Sequence, residues 1–197
     1  MKRLINRRVA IIITSNLIPL FSVLILGGDI RFLLLLFWAE SGVVGIFNLI
    51  MMATTRSKTP GDNFMKIFMI PFFAVHYGGF MFVHLIFLLF FMDNFGYQEP
   101  VIDYLASNLQ LILLNLLALF LGYLYDFNNE WLLGEKRETT ILSNLMFEPY
   151  NRIIIMQVTI IFGAFLYFEL GSSWVFLVLL ISLKTMADVY TTGMLKR

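Results

Sequence analysis

Long apolar stretches divided by polar breaks set the rhythm of the chain. Six are near the length a helix needs to cross a bilayer, over approximately 9–26, 30–52, 66–92, 101–125, 151–170 and 173–190. The pattern predicts an all-α fold, a single membrane domain over 1–197 built as a bundle of six transmembrane helices. Tight turns, Gly27-Gly28-Asp29 and Gly171-Ser172, alternate with longer polar connections at 53–65, 93–100 and 126–150. In the third stretch Pro71 cannot donate to the carbonyl of Ile67, so a bend or an unwound turn is expected there.

The longest connection carries a pattern of its own. Between 139 and 147, Ile141, Leu142, Leu145 and Met146 fall on one helical face, opposite Thr140, Ser143 and Asn144. That spacing predicts an interfacial helix between the fourth and fifth spans, with Trp131 as an anchor at the membrane surface. Pro149 suits the first turn of the fifth span, where a missing N–H costs nothing.

Charge then orients the bundle. Lys2, Arg3, Arg7 and Arg8 precede the first span, Arg56, Lys58 and Lys66 surround the second connection, and Lys136, Arg137, Lys196 and Arg197 follow later. The alternate connections carry chiefly Asp29, Asp93, Glu99, Asp103 and Glu169. The excess of Lys and Arg on one side predicts six crossings with both termini cytoplasmic. No small-x-small cleavage pattern follows Leu26, so the first span reads as a retained helix.

Composition agrees with this picture. The chain is 59% hydrophobic and only 14% charged, against about 25% charged in soluble domains. Its net charge of +1 argues against nucleic acid as a partner, and the lipid bilayer is the partner it implies. Cysteine is absent, which removes disulfides and thiolate metal sites.

Against this background the buried polar residues stand out, because an ionisable side chain inside a membrane is costly. Counting about 1.5 Å per residue, Glu40 and His76 both fall near the midplane, and His84 about 12 Å further out. Glu40 needs a partner or a proton there, and His76 is the ionisable group at its depth, so the two are expected to meet. Glu40 and His76 are the candidate catalytic residues. Eight positions separate His76 from His84, about two turns, unlike the i, i+4 spacing of helical zinc pairs. A second set, Glu148, Arg152, Lys184 and Asp188, is expected as a charged binding or structural cluster at the cytoplasmic ends of the last two spans, with Arg152 bridging Asp188. A divalent metal held by His76, His84, Glu40 and Asp188 is one reading of the polar residues. Neutral imidazoles and a protonated Glu bonding across helices is the plainer one.

Several short elements together resemble a family of polytopic prokaryotic membrane proteins, a domain of unknown function. They are Trp38-x-Glu40, Gly45-x-Phe47-Asn48, His76-Tyr77-Gly78-Gly79-Phe80 with His84, Pro149-Tyr150-x-Arg152, and Lys184 with Asp188. The resemblance implies a multi-pass protein of the cytoplasmic membrane of a prokaryote. It also implies a family metal set that is incomplete here, where Gln157 and Thr192 stand at positions often held by histidine.

Three functional classes fit these residues. One is an enzyme with an intramembrane metal or acid–base site acting on a small-molecule or lipid substrate. Another is a small proton-coupled transporter or permease relaying through Glu40 and His76. The third is a structural or accessory membrane subunit whose polar groups hold helices together. No nucleophile elbow, P-loop or zincin motif occurs.

Overall fold

A computed structural model describes residues 30–56, 60–94 and 98–151, with isolated helical positions beyond them at 153–155, 157, 158, 178, 182 and 185. The chain forms two compact units, one of Leu34–Ile153 and one of Met1–Leu33 with Ile154–Arg197. Every described side chain of the candidate site lies in the unit of Leu34–Ile153.

Among the described residues the elements are all helical. They are α1 (Ile30–Thr54), α2 (Pro60–Asn94), α3 (Val101–Ser107), α4 (Leu109–Asp126), a π-helical segment (Phe127–Leu132), α5 (Lys136–Thr139) and α6 (Leu142–Phe147). Among the described residues, three segments are long and apolar enough to cross a membrane: Arg31–Thr54, Asn63–Asp93 and Leu109–Leu132. They correspond to the second, third and fourth predicted spans; the first, fifth and sixth lie outside the described residues or touch them at isolated positions.

Each described span departs from its expected limits for a local reason. α2 begins at Pro60, six residues before the predicted start, since proline is well tolerated in a first helical turn. It then continues through Pro71 without an unwound turn, contrary to the alternative of a broken helix. The fourth span divides at Asn108, whose side-chain Nδ2 donates to the carbonyl of Tyr104 at 2.9 Å and competes with the backbone ladder. Asp93 at the end of α2 accepts the Val101 N–H at 2.8 Å, placing a carboxylate at the start of α3.

Two aromatic hydrogen bonds fasten α1 to α2. Trp38 Nε1 donates to the Met81 carbonyl at 2.9 Å, and Tyr77 Oη donates to the Ser41 carbonyl at 2.7 Å. Gly45 makes this approach possible, because a Cβ there would run into the Tyr77 ring. On its other side α1 meets α4 through Phe47, whose ring lies 5.4 Å from Phe120, 6.2 Å from Tyr123 and 5.6 Å from Phe127.

The predicted interfacial helix takes a different form. Thr140 and Ile141 are extended between α5 and α6, and α6 turns Leu142 and Leu145 into the core with Met52, Phe73, Tyr77 and Met81. Leu142 and Leu145 are therefore spent on the bundle itself, while Ile141 stays exposed. Trp131, expected at the membrane surface, is 2% exposed and donates from Nε1 to Thr54 Oγ1 at 2.9 Å.

The same connection closes the end of α1. Arg137 Nε donates to the Thr54 carbonyl at 2.6 Å, while the Arg137 carbonyl accepts the Arg56 N–H at 3.1 Å and Thr55 Oγ1 at 3.3 Å. Lys66 Nζ donates to the Thr55 carbonyl. Two cations thus meet carbonyls that the helix leaves unpaired. Arg56–Glu138 and Lys136–Glu130 pair at the exposed rim, where such pairs contribute at most about 1 kcal/mol each.

Outside, the helices show hydrocarbon. Phe64, Ile67, Phe68, Val75 and Phe90 on α2, and Leu113, Leu114 and Leu117 on α4, are all more than half exposed. A surface of this extent suits lipid rather than water.

Replacing Gly45 with Ala should force the Tyr77 ring off Ser41 and cost about 1–3 kcal/mol of stability. Thermal unfolding of the full chain in detergent checks this, and adding Tyr77→Leu to Gly45→Ala should recover part of the loss.

Candidate functional site

A carboxylate and an amide on α1 and the His84 imidazole on α2 make up the interior chemistry. Glu40 points from the α1 flank that carries Phe47, toward α4. It is 9% exposed, and its Oε1 accepts the Tyr123 hydroxyl at 3.0 Å. The apolar run of α4 brings the phenol there, and a buried phenol seeks a partner at its polar tip. Ser41, next along α1, is also buried but donates to the Phe37 carbonyl one turn back at 3.0 Å.

The histidines part company. His76 is on the exposed side of α2, with Nδ1 2.7 Å from Tyr150 Oη. Its ring stacks on Phe72 at 5.1 Å and leans on Phe80 at 5.0 Å. The expected meeting of Glu40 and His76 is therefore replaced by two tyrosine contacts: the carboxylate faces α4, while the imidazole faces the aromatic cluster around Tyr150. Depth along a helix was legible from residue counts, but the direction around the axis was set by packing.

His84 is 3% exposed on the face of α2 that also carries Tyr77, Met81 and Leu88. Its Nδ1 lies 2.9 Å from the Phe80 carbonyl, and Nε2 is buried without a hydrogen-bond partner among the described residues. Asn48 is 1% exposed, and neither Nδ2 nor Oδ1 has a partner among the described residues. An unmade buried hydrogen bond of this kind costs about 1–3 kcal/mol, so these two side chains are not explained by packing.

Of the expected charged cluster, Glu148 follows α6, its N–H bonded to the Asn144 carbonyl at 3.0 Å. Arg152, Lys184 and Asp188 lie outside the described residues. Among the described residues no three His, Asp or Glu side chains are grouped to hold a metal ion. Glu40, His76 and His84 thus do not fit a divalent metal as a set, and no chemical step is assigned to one.

Sequence reasoning overlooked Tyr123 and Tyr150 as partners. Tyr123 carries a polar tip late in a mostly apolar run, and Tyr150 follows a helix-starting proline, so both carried a sign of their role. Trp38 and Tyr77 act as fasteners between α1 and α2.

The chain belongs to a family described as a family of unknown function (DUF6498), which it matches over residues 1–197. No curated protein and no solved structure matches it.

Proposed function

We propose that this member of the family is a multi-pass protein of a prokaryotic cytoplasmic membrane, with an acid–base site centred on Glu40 that couples proton binding to the passage of a small polar solute. The observation that carries the reading is the buried Glu40 carboxylate accepting the Tyr123 hydroxyl. A carboxylate between helices is retained where it is used, and a phenol donor steadies its charged form without removing its ability to take a proton.

Orientation belongs to the same proposal. The connections rich in Lys and Arg meet at one end, where Arg137 and Lys66 bond the last carbonyls of α1. A common cytoplasmic position for both connections, with six crossings and both termini inside, accords with that meeting.

A second reading, an accessory subunit, is favoured by the interhelical bonds of Trp38, Tyr77 and Trp131, which are devices for holding helices. Infrared difference spectroscopy of the full chain in lipid separates the two. The acid–base reading expects a carboxyl band that changes with pH and is missing from Glu40→Gln, while the variant melts as the native chain does. Gln keeps an acceptor for Tyr123, so a structural role survives the substitution. Identical carboxyl spectra in the two proteins contradict the acid–base site and favour the accessory subunit.

A further inference from the structure

We infer that the interior contains a hydrated proton path, in which water bound at the Asn48 amide and at His84 Nε2 leads to and from Glu40. The inference rests on the acid–base reading of Glu40 and adds the route by which its proton arrives and leaves.

The two unpartnered side chains specify the occupant. The Phe80 carbonyl 2.9 Å from His84 Nδ1 can only accept, so Nδ1 carries the proton. In the neutral ring Nε2 is then a bare lone pair, buried and without a donor. Asn48 needs both an acceptor for Nδ2 and a donor for Oδ1. A cation satisfies Oδ1 and Nε2 but not Nδ2, and an anion satisfies Nδ2 alone. Water donates and accepts, and so meets all three atoms.

Placement along the helices makes these sites the two sides of one route. Asn48 follows Glu40 by eight residues, about 12 Å along α1. The Trp38–Met81 and Ser41–Tyr77 bonds run in opposite directions along the two helices, so α1 and α2 are antiparallel. His84 stands three residues beyond Met81, and Trp38 two residues before Glu40. His84 therefore lies on the side of Glu40 away from Asn48, within about 10 Å along the axis. It shares a face of α2 with Tyr77 and Met81, the residues that reach α1. Along the helix axes, Glu40 stands between two wet points.

Along such a path each water takes a proton on one side and releases another on the opposite side. The Glu40 carboxylate binds one proton to become the acid, then returns it to the next water, with the Tyr123 hydroxyl keeping its place on Oε1. No other bond is made or broken.

X-ray radiolysis of the full chain in nanodiscs, read by mass spectrometry, tests the path because radicals form from water already bound inside. Met52, one turn from Asn48, and Met81, beside His84, should be oxidised by X-rays and spared by radicals generated in bulk solvent. Asn48→Leu should lower Met52 labelling several-fold, and His84→Phe should lower that of Met81. The native-chain comparison needs no variant to fold. Absence of X-ray labelling at both methionines overturns the path, and if the Glu40 carboxyl band still responds to pH, it overturns the path alone. Labelling unchanged in both folded variants also overturns it. Labelling without a pH-responsive Glu40 band removes the proton function from the path.

Discussion

A carboxylate inside an apolar bundle has to be met by a donor, and the meeting of Glu40 with Tyr123 is the constraint around which the described helices are arranged. It requires α4 to lie along one flank of α1, where Phe47 packs among Phe120, Tyr123 and Phe127. The opposite requirement comes from α2, which closes on α1 at Gly45 through Tyr77 and is held by Trp38. One helix thus carries a polar contact on one flank and a tight aromatic contact on the other. The residues exposed on the outside of α2 and α4 are largely apolar.

Tyrosine and tryptophan do much of the joining in this bundle. Their rings fill volume and their single polar tips reach a carbonyl, a hydroxyl or a carboxylate on the next element. Without a hydrophobic drive between helices in lipid, such bonds and close packing are what hold neighbours together. Trp131 and Arg137 extend the same principle to the polar end of the bundle, where the connection after α4 folds back and completes the end of α1.

Three spans could be read from apolar length alone, because a membrane helix is defined chiefly by what it excludes. Their ends were less legible: Pro60 extends α2, and Asn108 divides the fourth span through a bond to Tyr104. Leu142 and Leu145 gave an amphipathic pattern, yet that pattern does not say whether the apolar face meets lipid or protein, and here it meets Phe73 and Tyr77. The candidate site was legible as residue types. Glu40 was found that way, but its pairing with Tyr123 rather than His76 depends on rotation about α1 and α2, which side-chain packing decides. Asn48 was only one polar residue among several, and its lack of partners belongs to the folded arrangement.

The central claim is that Glu40 and Tyr123 interact directly in the bundle interior, and a double-mutant cycle measures that contact most directly. Glu40→Leu, Tyr123→Phe and the double variant are compared with the native chain by reversible unfolding in detergent micelles. The account predicts a coupling free energy of about 0.6 kcal/mol or more, the scale of interhelical hydrogen bonds in membrane proteins. Additive single effects, with coupling near zero, would contradict it.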